Sequence, residues 1–319
     1  MKINGVFEGG GVKGIALAGA VSAAQDKGYE FHEVAGTSSG SIVAAFLAAG
    51  YTGEEMKRMI LSMPFRSFLQ RSPIFNTRIL GPASRLLIKK GLYSGEALEH
   101  WVYRILLSKG IRTFGDLRPN QLRIIASDIT QGKILVLPDD IAQYGIDPRM
   151  FPVAKAVRMS TSIPYFFDPV MIRIQRKSSA GAEPFSKQFY YIVDGGVLSN
   201  YPLWVFDREA FVDRTPVIGF RLVGKSEFHH HNIRGPITMF EALFSTMLSA
   251  HDAMYIEKQD RFRTVKIPTL GVQNTDFNLS KEKSLELYEA GYNAAAQYFQ
   301  TWSMQTYEQD YEKFVLRKR

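Results

Sequence analysis

The sequence predicts an α/β fold whose mainly parallel sheet is covered by helices on both faces. Three observations carry the prediction. Short apolar runs alternate with alanine-rich or amphipathic stretches of helix length between residues 3 and 62. Glycine clusters stand where the chain must turn from strand into helix. Hydrophobic residues make up 45% of 319, enough to bury one large core, and no repeat or long linker divides the chain. A single domain over 1–319 is therefore expected.

Residues 3–7 read as a strand, the glycines at 9, 10, 11 and 14 as a turn, and 15–25 as a helix. Val34 and Ala35 suggest a short buried strand ending at Gly36. Residues 41–49 form a helix closed by Gly50. Thr52 and Glu55 have the spacing of a capping box for a helix over 54–62. The stretch 64–93 is less regular, with Pro64, Pro73 and Pro82 among Phe65, Phe68, Leu69, Ile74 and Phe75. It reads equally well as a flap over an apolar pocket or as a packed excursion. Further on come a helix over 96–107, closed by Gly110, and strands over 122–126 and 133–137. A short strand over 170–174 and a polar loop over 176–187 lead to an apolar strand, 189–193, which stops at Asp-Gly-Gly. A strand over 217–223 and helices over 237–260 and 281–303 complete the pattern, and the tail KFVLRKR is basic.

The chain has no cysteine, which excludes disulfides, a thiol nucleophile and cysteine-ligated metals. The N-terminus lacks the apolar stretch of a signal peptide, and nothing reaches about 18 apolar residues, so no spanning helix is expected. A cytoplasmic location follows as the expectation, with peripheral membrane contact and specialised secretion left open. The formal charge of +8 suits anionic partners such as a phospholipid surface or nucleic acid, and suits equally a plain basic protein.

The chemistry starts at GTSSG, residues 36–40, a G-x-S-x-G sequence between a short apolar strand and an alanine-rich helix. In that context the serine sits exposed on a sharp turn. Ser38 is thus a candidate nucleophile; alone, it reads as well as a helix cap. An acyl-transferring serine needs backbone N–H groups aimed at the developing oxyanion. Gly9, Gly10 and Gly11, following a buried strand, can supply a nest of them, and Ser39 adds the N–H after the nucleophile. Gly9, Gly11 and Gly14 also match G-x-G-x-x-G, but no acidic residue ends the second strand as dinucleotide binding requires. A structural tight turn is the remaining alternative.

The serine needs a base. His32, His100, His229, His230, His231 and His251 all lack a turn context of this kind. Asp194 ends an apolar strand and precedes two glycines, where an open sheet presents ligand-binding groups; its alternative is a turn-forming aspartate. Asp128, Asp168 and His251 are the rival bases, with a structural role expected for Asp128.

Together GGGVKG, GTSSG and DGG resemble the patatin-like phospholipases, and AVRMSTSIPYFF at 156–167 resembles the block that lies between the serine and aspartate motifs. The resemblance covers residues 9–196 in order. It implies a three-layer α/β/α fold with a mainly parallel central sheet, and a lipid acyl hydrolase acting on phospholipids or lysophospholipids through a Ser38–Asp194 dyad. It implies no catalytic histidine, no metal, no cofactor and no nucleic-acid partner. Gly9, Gly10 and Gly11 fall on the oxyanion glycines. Lys13 falls where the family has arginine or lysine, supporting the loop or meeting a phosphate. Arg158, Ser160 and Pro164 fall in the site-shaping block, where Met159 stands in place of the commoner alanine. The other reading is a lipid-binding protein without catalysis, disfavoured because mere binding has no use for a Ser38 turn and Asp194.

Overall fold

The computed structural model describes residues 1–63, 90–175, 187–207, 215–224, 233, 235, 239, 242–243, 246, 260–273, 276 and 279–316. The expected flap lies outside them except for its last four residues, and so do nearly all of the expected helix over 237–260 and the histidines at 229–231 and 251.

Ten strands form the frame: β1 (Lys2–Phe7), β2 (Glu30–Thr37), β3 (Gly91–Tyr93), β4 (Leu122–Asp128), β5 (Lys133–Leu137), β6 (Tyr165–Phe167), β7 (Val170–Gln175), β8 (Lys187–Asp194), β9 (Val217–Val223) and β10 (Thr264–Pro268). β3 and β6 make a separate two-stranded ribbon, and the others form one sheet. Its neighbours β10–β9–β1–β2–β4 are all parallel, whereas β5 and β8 join β4 antiparallel and β7 joins β8 antiparallel.

The helices are α1 (Gly14–Asp26), α2 (Ser39–Ala48), α3 (Gly53–Leu61), α4 (Glu96–Leu107), α5 (Val153–Ser160), α6 (Trp204–Asp207), α7 (Lys281–Thr301) and α8 (Met304–Phe314). Ile3, Phe7, Val34 and Ile124 pack on one sheet face with residues of α1, α2 and α7. Val6, Ala35 and Val217 pack on the other with Leu203 and Phe206. This is the three-layer α/β/α arrangement with a mainly parallel sheet. The capping box of α3 is formed as its spacing requires.

Several elements are not apparent in the sequence. β2 starts at Glu30 because its polar first half pairs with Lys2 and Ile3. β10 is an edge strand of five residues, and α8 is a tail helix held by Tyr307, whose hydroxyl accepts the Val217 N–H at 2.9 Å. α5 is amphipathic and too short to stand out.

The pairing registers bring Ser38 and Asp194 together. Ile124 and Ile125 pair with both β2 and β5, so these two strands lie on opposite edges of β4. Residues 126–128 pair with β5 and β8, which puts β8 on the edge that β2 occupies one step earlier. β2 ends with Thr37 opposite Ile125, and β8 ends with Asp194 opposite Ala126. The two strands meet end to end, and the residues where they stop face each other.

Candidate active site

Ser38 lies between β2 and α2 with φ 52° and ψ −126°, a strained conformation for a residue with a side chain. Close packing enforces it. A Cβ on Gly40 would run into the carbonyls of Phe7 and Glu8, so α2 sits directly on the end of β1 only because glycine is there. The backbone N–H of Ser38 donates to Ser160 Oγ at 2.8 Å, and Ser160 Oγ donates to the Ile125 carbonyl at 2.5 Å. Ser160 thus pins the turn to β4. Replacing it by alanine leaves a buried N–H unpaired, and we expect a stability loss of about 1–3 kcal/mol in a denaturant titration, with a reduced but measurable turnover.

Ser38 Oγ donates to Asp194 Oδ2 at 2.7 Å, and the other carboxylate oxygen accepts the Gly196 N–H at 2.8 Å. Asp194 is 1% exposed. Burial pushes its pKa up to about 7, against the lowering effect of the Ser38 and Gly196 hydrogen bonds. A carboxylate of that basicity, in contact with a serine hydroxyl, can take its proton near neutral pH.

The glycine loop faces this pair. The Gly9 N–H donates to the Asn200 carbonyl at 3.1 Å, and Asn200 Nδ2 returns a bond to the Gly9 carbonyl at 3.2 Å. Gly9 therefore anchors the loop. The Gly10 N–H donates to Ser39 Oγ at 3.0 Å. Gly11 has φ 57°, in the left-handed region that favours glycine. Lys13 closes the 3-10 turn half-buried, its methylenes beside Gly10.

An apolar pocket opens from these groups, with about 650 Å³ of space not filled by atoms, part of it open to solvent. Gly11, Ser38 and Ser39 share its lining with Ile42, Met63, Leu98 and Phe167. The block at 156–167 supports it from behind. Arg158 is buried and donates to Ser162 Oγ at 2.5 Å, to the Ser94 carbonyl at 2.5 Å and to the Asp168 carbonyl at 2.7 Å. Burial lowers its pKa, opposed by Glu99, Asp168 and Glu96. Pro164 sits in the turn where the Phe166 N–H meets the Ile163 carbonyl, which directs Ile163 and Phe167 into the pocket wall.

The rival bases that are described lie elsewhere. Asp128 is buried and accepts bonds from Thr130 N–H, Gln131 N–H and the Tyr144 hydroxyl, a structural assignment. Asp168 caps the β3–β6 ribbon through its backbone. His32 is engaged with Arg118, and His100 is exposed on α4. Two contributors escaped the sequence reading. Asn200 grips Gly9 from both sides, and Thr37 Oγ1 holds the Ser199 carbonyl at 3.0 Å, fixing Asn200 beside the loop. A polar Ser-Asn pair, five and six residues beyond the aspartate, is the only signal Asn200 gives.

A profile of the patatin-like phospholipases matches residues 5–207, and the chain belongs to that family of lipid-directed carboxylic ester hydrolases. YqhO of Bacillus subtilis (strain 168) is 44% identical over 305 residues, covering 95% of this chain and 100% of that protein. The probable lipid hydrolase 463L of invertebrate iridescent virus 6 is 26% identical over 206 residues, 62% of this chain and 61% of its own. Among solved structures, VipD of Legionella pneumophila shares the fold with a TM-score of 0.55 at 18% identity, over 96% of this chain and 67% of that one. No described helix is long and apolar enough to cross a membrane.

Proposed function

We propose that the protein is a serine hydrolase that cleaves fatty acyl esters of phospholipids or lysophospholipids through a Ser38–Asp194 dyad. The observation that carries the reading is the 2.7 Å hydrogen bond from Ser38 to Asp194, set beside an apolar pocket that suits an acyl chain. Ser38 Oγ attacks the ester carbonyl as Asp194 takes its proton. The Gly11 N–H, with the Gly10 N–H redirected from Ser39 Oγ, donates to the oxyanion. Collapse breaks the ester C–O bond, and Asp194 returns the proton to the leaving alcohol. Water then attacks the acyl-serine, gives its proton to Asp194, and the fatty acid leaves as the proton passes back to Ser38.

Fatty acid release from phospholipid and lysophospholipid, each compared between wild type and Ser38→Ala, tests the reading. Release from neither, by a folded wild-type protein, overturns it. Among the described residues no group of three or more His, Asp or Glu could hold a metal ion. The proposed dyad mechanism uses no metal, so turnover of a soluble ester is expected to survive exhaustive EDTA treatment unchanged, and restoration of a lost activity by calcium alone would contradict that.

A further inference from the structure

The outward face of the β7–β8 hairpin combines exposed apolar side chains with cations. Met171 lies opposite Tyr191 and Arg173 opposite Phe189 in the antiparallel register, so the four share one face. Ile172 and Tyr190 turn inward and are buried, while Met171 is 53% and Phe189 42% exposed. Ile129, 52% exposed, joins them where its N–H donates to the Tyr191 carbonyl. A core-facing strand has no need of this outer row, and single exposed apolar residues do not cluster in this way by default.

The cations sit on the same face. Lys90 Nζ lies 4.7 Å from the Tyr191 ring centroid, and Arg173 is exposed beside Phe189. Among the described residues of these segments the carboxylates are withdrawn: Asp128 is buried under Tyr144, and Asp168 Oδ1 is buried. The face is thus apolar and positive, the pairing that suits insertion among acyl chains beneath anionic headgroups.

Its position relates it to the pocket. Lys90 leads into β3, whose Gly91 pairs with Tyr165 of β6. Tyr165 is 46% exposed, and Phe167, two residues on, lines the pocket. β8 itself runs from Phe189 to Asp194, about 17 Å away along the strand. A surface bound here would lie beside the pocket approach.

We infer that the outer face of the β7–β8 hairpin, with Ile129 and Lys90, docks the protein on an anionic phospholipid surface. The inference rests on the lipid hydrolase reading above but makes a separate claim about binding. Sedimentation with vesicles of phosphatidylcholine and phosphatidylglycerol tests it. Wild-type protein should sediment increasingly with phosphatidylglycerol content and less as salt is added. Lys90→Gln with Arg173→Gln should weaken binding about 25-fold at low salt, at about fivefold per cation. Met171→Ser with Phe189→Ser should weaken it about tenfold or more per residue. Both variants should hydrolyse a soluble short-chain ester like wild type, with unchanged melting temperature, while losing turnover on vesicles.

Vesicle binding that is absent in wild type, or undiminished in both variants, overturns the inference. So does an equal loss on soluble ester and vesicles with a lowered melting temperature, which would make the face structural. A dimer in light scattering that the Met171→Ser/Phe189→Ser variant converts to monomer would assign the face to a second copy of the chain and overturn it too. If wild type binds vesicles through this face yet hydrolyses neither phospholipid nor lysophospholipid, the docking surface stands and the proposed activity fails.

Discussion

Ser38→Ala should leave a folded protein whose ester hydrolysis is lower by at least ~10⁴, the scale on which removal of a nucleophilic serine acts elsewhere. The loss should appear in kcat. Among the described residues no other hydroxyl is bonded to Asp194 Oδ2, and the second serine of the motif is committed differently: Ser39 Oγ accepts the Gly10 N–H. A fluorophosphonate should label Ser38 in the wild type and nothing in the variant. The backbone should hold, because the turn is pinned from outside the side chain, by Ser160 at the Ser38 N–H and by the Ser41 hydroxyl at the Ser38 carbonyl. Labelling at Ser39 or Ser160 with Ser38 unmodified would move the nucleophile and, with it, the whole assignment.

Sequence reveals Ser38 and Asp194 for different reasons. GTSSG is a local signal: glycines flank a serine at a strand-to-helix turn, while the contacts that hold it, Gly40 against β1 and the Ser38 N–H on Ser160, come from distant segments. Asp194 is legible only as the end of an apolar strand. Its meeting with Ser38 is non-local, created by β2 and β8 sharing one edge of β4. Nothing in the residues around either one encodes that register; the family resemblance supplied it. Asn200 shows the limit from the other side. Its grip on Gly9 depends on a chain segment returning across 191 positions, and an asparagine before a proline-containing turn carries no pattern of its own. The same holds for the surface proposed to meet a membrane. The apolar run at 65–75 and the last three residues of the basic tail lie outside the described residues. The outward row of β7–β8 alternates with buried neighbours as any half-buried strand does, so its exposure becomes visible only once the sheet edge is known.

Asp194→Asn should abolish turnover and stabilise the protein, the two effects having one cause. The site holds a carboxylate almost fully out of water, and burial raises its pKa to about 7 from the 3.8 expected in an unfolded chain. Between those values the folded protein binds a proton that the unfolded chain releases, so this group makes stability fall as pH rises from about 4 to about 7. Above pH 7 the full loss is present, up to about 4 kcal/mol for a separation of about three pH units. Asparagine carries no charge to desolvate, and its carboxamide can still accept the Gly196 N–H and donate to Ser38 Oγ. The variant should therefore unfold at higher denaturant concentration than wild type at pH 8–9, with the difference vanishing near pH 4. Activity should run the opposite way. The base must be ionised, so wild-type kcat/KM should fall about tenfold per pH unit below the rising limb near pH 7, and the variant should lose at least ~10² in rate at any pH. A wild-type profile flat down to pH 5 would mean that Asp194 is ionised well below 7 in the free enzyme. A variant less stable than wild type at pH 9 would mean that the charged carboxylate holds the site together rather than straining it.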